Sequence, residues 1–198
     1  MCATFRIDFG EDEETLREIA RRIEERYGIE RVQAISSADR FPKSEAPVVS
    51  GDGLGLLRWG YPMPGSDKVV FNARSETVLE KPMFRSSAAR RCAVPATAFY
   101  EWDHRGGKPV KLRLRLVGQP MFYMAALWDR FRQPDGTPLD AFVLLTTAPN
   151  EEIAAFHDRM PCLIRPDGLA GWIADGQGPA EALAGVGPFR GAMRIEAA

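Results

Sequence analysis

Histidine and cysteine are scarce in this chain, and the scarcity is informative. There are two histidines, His104 and His157, and three cysteines, Cys2, Cys92 and Cys162, in 198 residues. An odd cysteine count with no Cys-x-x-Cys pair argues against a disulfide framework, and so few soft ligands argue against a structural zinc site. Neither a metal nor any other cofactor is expected. Cys92 and Cys162 each sit in an apolar run and read as buried thiols. No apolar stretch approaches the ~20 residues that cross a bilayer. Arg6, Asp8 and the acidic run Glu11-Asp12-Glu13-Glu14 interrupt any signal-peptide core. The expectation is an intracellular, cytoplasmic protein with no membrane partner. Internal repeats, low-complexity tracts and linkers are also missing, so residues 1–198 are expected to form one domain, a monomer.

Hydrophobic residues at 45% and charged residues at 27% are ordinary for a soluble globular protein. The formal net charge of −1 conceals an asymmetry. Between Lys81 and Arg132 there are eleven basic residues, Arg85 among them, against Glu101, Asp103 and Asp129, while acids gather in the first thirty residues. A one-sided basic surface attracts polyanions, nucleic acid foremost. A solvated strand face that keeps an edge soluble explains the same charges equally well.

Periodicity yields a strand over residues 2–8 and a helix from Asp12 to Tyr27 stopped by Gly28. An irregular stretch punctuated by Phe41-Pro42 and Ala46-Pro47 leads to a strand over Leu54–Tyr61. Val69-Val70-Phe71 is a brief strand ending at Asn72, Glu76–Lys81 a helical turn, and Met83–Arg90 a short helix. Cys92–Pro95 and Phe99–Trp102 read as strand pieces broken at Pro95-Ala96. Beyond the Arg105–Lys108 hairpin turn, Val110, Leu112, Leu114 and Leu116 alternate with Lys111, Arg113 and Arg115, a half-buried strand with one basic face. Met121–Leu127, Ala141–Thr147 and Pro161–Ile164 are further strands, and Phe189–Ile195 a last one. Asn150 caps a helix from Glu151 to about His157, and Leu169–Ala174 and Ala180–Ala184 are short helices. Hairpin-joined strands with helices outside them imply an α+β domain around a curved antiparallel sheet or barrel-like β core with peripheral helices.

Cys2 directly follows the initiator methionine. Removal of Met1 would leave an α-amine beside a thiol, a pair that condenses with an aldehyde to an imine and closes to a five-membered thiazolidine. Reference pKa values of about 7.7–8.0 for the amine and about 8.5 for the thiol leave reactive fractions of both near neutral pH. Three other polar groups sit among apolar neighbours: Asn72 after Val-Val-Phe, Glu101 between Tyr100 and Trp102, and His157 after an apolar helix. Burial would raise the Glu101 carboxyl toward neutral pH and suit it to proton transfer. Each has a plainer explanation: an exposed alternate strand position for Glu101, a helix C-terminal histidine for His157, a turn residue for Asn72 and a strand start for Cys2. No spacing in the sequence brings the four together.

The blocks Met1-Cys2, Arg58-Trp59-Gly60, Asn72-Ala73-Arg74-Ser75-Glu76-Thr77, Arg91-Cys92-Ala93-Val94-Pro95-Ala96, Phe99-Tyr100-Glu101-Trp102 and His157-Asp158-Arg159-Met160-Pro161 resemble, in their order, the SRAP family, the SOS-response-associated peptidases or abasic-site-processing proteins. The resemblance implies an N-terminal cysteine that captures the ring-opened aldehyde of an abasic site in single-stranded DNA as a thiazolidine crosslink. It also implies self-processing of Met1 and a lyase branch at the imine. On that footing Asn72 would hold the amine or the sugar, Glu101 would shuttle protons and His157 would open the deoxyribose. Arg74 and Arg159 would grip phosphates, with Arg85 on the same basic track. The usual Cys-Gly-Arg opening is Cys2-Ala3-Thr4 here, Ala98 replaces a common glycine, and Met63-Pro64 stands where a tryptophan is usual. Two other classes remain open: an N-terminal-nucleophile amidohydrolase with Cys2 attacking an amide, and a non-catalytic single-stranded DNA-binding module.

Overall fold

The computed structural model describes residues 2–10, 13–36 and 38–198. In chain order the elements are β1 (Thr4–Arg6), α1 (Glu14–Tyr27), α2 (Ile29–Ser36), β2 (Glu45–Ser50), β3 (Gly53–Trp59), β4 (Tyr61–Pro62), β5 (Val69–Val70) and β6 (Asn72–Arg74). There follow α3 (Pro82–Arg85), β7 (Arg91–Ala96), β8 (Ala98–Asp103), β9 (Val110–Leu116), β10 (Phe122–Arg132), β11 (Pro138–Thr147) and α4 (Glu151–Ala154). The chain ends through β12 (Met160–Pro161), β13 (Leu163–Ile164), α5 (Leu169–Ile173), α6 (Pro179–Ala184) and β14 (Met193–Ala197).

Five strands, β3, β2, β7, β10 and β11, close on themselves into a barrel, with helices at the periphery. All the pairings in that ring are antiparallel except β11 with β3, where Phe142 lies opposite Trp59. This α+β architecture is the one the strand pattern implies. Closure pairs every one of the five strands with a neighbour on each side along part of its length. A second sheet, ordered β1-β8-β9-β14, lies beside it. The chain passes from barrel to second sheet at Thr97, between β7 and β8. Its N–H donates to the Arg6 carbonyl at 2.9 Å and its hydroxyl accepts from the Asp8 N–H at 3.2 Å. The break expected at Pro95-Ala96 therefore falls later, because Pro95 is accommodated opposite Tyr123 within the ladder.

Aromatic packing seals the barrel closure. Trp59 is fully buried, its indole N–H donates to the Phe71 carbonyl at 2.8 Å, and its ring meets Phe5, Phe71 and Phe142 at 5.0, 5.9 and 6.3 Å. Gly60 follows with φ +112°, and a Cβ there would stand 2.7 Å from a Val69 methyl, so only glycine fits this turn.

Several expectations need correction. The stretch before Leu54 is not irregular: β2 occupies 45–50 with Pro47 inside it, opposite Leu56 of β3, while the pairing with β7 begins only at Val49. The proline thus sits where no second ladder requires its N–H. Gly28, at φ +88°, ends α1 and is followed at once by α2, which the sequence did not suggest. The expected helix start at Asp12 lies outside the described residues, and Glu13 caps α1 by accepting from the Leu16 N–H at 2.7 Å. Helix α3 is shorter than 83–90, α4 stops before His157, and the last strand lies at 193–197. Asn72 opens β6 rather than ending the strand before it. The single strand expected at 161–164 is two: β12 pairs with β11, β13 with β10, and Cys162 links them through Leu145 O and Ala125 N–H.

Part of the basic segment is buried or paired, while Lys81, Arg85, Lys108 and Arg132 are exposed. Arg91 is buried and donates to the carbonyls of Trp172, Ala174 and Gln177, tying the loop after α5 to the barrel. Arg90 pairs with Asp129, Arg105 with Asp103, Lys111 with Asp39 and Arg130 with Asp140. Asp39 and Asp140 come from outside the basic segment and offset its charge.

Candidate active site

Cys2 lies just before β1, whose Thr4 is in register with Tyr100 of β8. On its other side β1 is held by paired backbone hydrogen bonds between Phe5 and Arg40. Cys2 is 1% exposed and its Sγ donates to the Thr4 carbonyl at 3.4 Å. Burial pushes the thiol far above its ordinary range, and the negative charge of Glu101 pushes it further, only partly offset by the Thr4 and Tyr100 main chain. The ready thiolate fraction expected near neutral pH is therefore not a property of the chain that still carries residue 1. Cys92 and Cys162 are buried thiols as expected, Cys162 raised to about 12 by burial.

Asn72 reaches Cys2 directly. It opens β6, which runs parallel to β11 with Asn72 opposite Leu144. Its Nδ2 donates to the Cys2 carbonyl at 2.7 Å, and its Oδ1 is buried without a hydrogen-bond partner among the described residues. An amide that fixes the Cys2 carbonyl and leaves a buried acceptor open can take a further donor.

Glu101 is on β8, opposite Leu112 of β9. Its face is shared with Phe99 and turns inward. The carboxylate is 3% exposed while Trp102 is 46% exposed, so the exposed-alternate explanation for Glu101 fails. Burial raises its carboxyl to about 7. His157 Nε2 lies 3.5 Å from Glu101 Oε2. Because α4 ends at Ala154, His157 is set by the loop that follows, its N–H donating to Ile153 O at 2.8 Å. The Nδ1 of the ring is bracketed by the Arg159 main chain, with the N–H at 3.0 Å and the carbonyl at 2.9 Å. Either tautomer is pinned that way, and Nε2 is presented to the carboxylate. Burial lowers the His157 pKa below its usual value, so the ring favours its neutral form.

Four distant segments thus bring Cys2, Asn72, Glu101 and His157 into one corner. The three arginines divide. Arg74 and Arg85 are exposed. Arg159 is largely covered, its guanidinium forked onto Glu76 at 2.9 and 2.8 Å and donating to the Thr146 carbonyl at 2.7 Å. Glu76 and Thr146 escaped sequence reasoning, although Glu76 stands in the Asn72–Thr77 block. A cavity of about 370 Å³ opens beside the corner, lined by Val70, Asn72, Arg74, Val78, Pro82 and Phe84 among others. A larger one of about 780 Å³, near α5 and α6, includes none of the four. Among the described residues no group of three His, Cys, Asp or Glu could hold a metal ion, and no helix is long and apolar enough to cross a membrane.

A closed barrel flanked by a second sheet, with a half-buried amide and imidazole and a buried acid gathered around Cys2, is a specific construction. The chain belongs to the SOS response associated peptidase (SRAP) family, whose sequence model matches residues 1–197. It is 37% identical over 131 residues to the abasic site processing protein YoqW of Bacillus subtilis, a match covering 63% of this chain and 58% of YoqW. It is 26% identical over 184 residues to the abasic site processing protein HMCES of Xenopus tropicalis, covering 72% of this chain and 55% of HMCES. The chain therefore spans little more than half the length of these relatives. A crystal structure of a Bacteroides thetaiotaomicron protein shares the fold, with a TM-score of 0.83 at 22% identity over 99% of this chain and 91% of that one.

Proposed function

We propose that this protein processes abasic sites in single-stranded DNA, capturing the lesion covalently through the aminothiol exposed when Met1 is removed. The reading is carried by one observation: Asn72 holds the Cys2 carbonyl at 2.7 Å beside a Glu101–His157 pair separated by 3.5 Å. Residues 1–198 act as one unit, as a monomer, on this reading.

Hydrolysis of the Met1–Cys2 peptide bond consumes one water and leaves the α-amine of Cys2. The C1′–O4′ bond of the deoxyribose hemiacetal breaks as the C1′ hydroxyl gives its proton to the Glu101–His157 pair and His157, charged from the Glu101 carboxyl 3.5 Å away, delivers one to O4′, so the ring opens to an aldehyde with no net proton change. The amine adds to that carbon, Asn72 Oδ1 accepts one of its protons in a hydrogen bond, and loss of water gives the imine. Sγ then bonds to the imine carbon while its proton passes to the nitrogen, so aminothiol and aldehyde become thiazolidine and one water. Glu101 suits both transfers, because a carboxyl raised to about 7 is present in both forms near neutral pH. A proton acceptor is required at ring closure, since burial and the Glu101 charge disfavour a standing thiolate. The imine is also the branch point for lyase chemistry, in which the strand leaves by elimination. Arg74, Arg85 and Arg159 would hold backbone phosphates without reading sequence, and the apolar cavity beside Asn72 would take a neighbouring base.

Intact mass spectrometry of the protein alone and after abasic single-stranded DNA tests the proposal. The expected result is loss of Met1 followed by a heat-stable adduct that Cys2→Ala does not form. An adduct of equal yield from Cys2→Ala rejects it.

A further inference from the structure

Arg159 meets a carboxylate before it meets any phosphate. Both terminal nitrogens of its guanidinium are engaged by the two oxygens of Glu76, in the fork geometry that makes arginine–carboxylate pairs directional. The arginine side chain is 13% exposed and the glutamate 46%, and Arg159 holds the Glu76 carboxyl below its ordinary range. Arg159 Nε is buried without a hydrogen-bond partner among the described residues, so the pair leaves one donor of the guanidinium unsatisfied.

The pair joins the two segments that carry the reactive groups. Glu76 follows β6, which begins at Asn72, and Arg159 brackets the His157 ring with its own main chain. Both segments are registered on the same stretch of β11: Thr146 lies opposite Arg74 on one side and Pro161 on the other. The Thr146 carbonyl accepts from Arg159 Nη2 and from the Ser75 N–H. Glu76, Arg159 and Thr146 therefore fix the distance between the Asn72 strand and the His157 loop.

We infer that Glu76 is a positioning residue and an electrostatic gate for the DNA strand. Through Arg159 it sets the His157 ring against Asn72, and with its own charge it occupies the guanidinium that a backbone phosphate must share or take. This rests on the reading of abasic single-stranded DNA as substrate. The two roles have opposite signs when the charge is removed. Arg159 becomes available to phosphate, so the strand binds more tightly, while the His157 loop loses its tether, so the bond-forming step slows. A residue that only stabilised the fold would not raise affinity.

The test uses the full chain and Glu76→Gln. Affinity for an undamaged single-stranded oligonucleotide is measured across a salt series, and the single-turnover adduct rate is measured at saturating abasic oligonucleotide. Glu76→Gln should bind the undamaged strand about three- to tenfold more tightly at low salt, with a salt slope steeper by about 0.7, the increment for one more phosphate contact on a single strand. Its saturated adduct rate should fall roughly tenfold. Glu76→Asp keeps the charge and shortens the fork, so binding should stay at the wild-type value while the rate falls. Affinity that weakens or holds constant in folded Glu76→Gln overturns the gate, as does a gain of affinity in Glu76→Asp. An undamaged strand that neither wild type nor Glu76→Gln binds overturns it as well. A wild-type protein that binds the undamaged strand yet forms no adduct defeats the proposed function instead, and the binding arm still decides the gate.

Discussion

The corner around Cys2 and the outer face of β9 both carry ionisable side chains from several strands, and they behave in opposite ways. Glu101 is almost fully buried, its carboxyl is raised to about 7, and its neighbour His157 is pushed down by the same burial. On the outer face, Lys111 reaches Asp39 at 3.0 Å and lies 4.0 Å from the Tyr100 ring centroid, with 29% of its side chain still in solvent. Few charges in a region of low dielectric have their protonation reset, whereas half-covered charges that meet an opposite charge acquire only partners. Burial resets protonation in the first region, and in the second Lys111 pairs with Asp39.

That contrast can be broken most severely at the corner. Glu101→Gln and His157→Ala should each slow adduct formation about 10²- to 10⁴-fold in single-turnover gels, while affinity for undamaged single-stranded DNA changes far less. Next in size is Asn72→Ala. It strands the Cys2 carbonyl and should cost about 1–3 kcal/mol in chemical denaturation, together with a slower adduct. A third effect concerns pH. The Glu101 carboxyl is raised from 4.5 to about 7, so its contribution to stability is fully present below pH 4.5 and is lost as pH rises through 7. Glu101→Gln should therefore be more stable than the wild type at pH 8, by up to about 3 kcal/mol, and no more stable at pH 4; calorimetry at the two pH values checks this. The smallest effect belongs to β9. Lys111→Ala should change stability by about 1 kcal/mol or less, and a larger loss would show that the outer face is not the passive one.

The site's residue types were legible in the sequence, and their assembly was legible only through resemblance to a family. Period-2 reasoning puts Glu101 on the face opposite Tyr100 and Trp102, but both faces of β8 carry aromatics, so local pattern could not say which one turned inward. The structure settles it through Phe99, which packs at 6.1 Å from Phe122 on the same face as Glu101. Arg91 looked like surface charge because its backbone-capping partners lie more than eighty residues away. Pro47 looked like a strand breaker because the unpaired side of β2 is decided by register with β7, a long-range fact. The Trp59-Gly60 part of the shared motif proves architectural. It sits at the one parallel seam of the barrel, where an indole must reach the Phe71 carbonyl and a backbone must pass close to Val69.

The short first strand works as a ruler. Thr4, Phe5 and Arg6 are locked opposite Tyr100, Phe99 and Ala98, so the count of residues between that lock and Cys2 dictates where Cys2 falls. One residue inserted between Cys2 and that lock would move Cys2 about 3.3 Å along the strand direction, away from the Asn72 amide that holds its carbonyl at 2.7 Å, with every other side chain of the corner untouched. The spacing between Cys2 and its strand thus shapes the corner as much as the identity of the side chains in it.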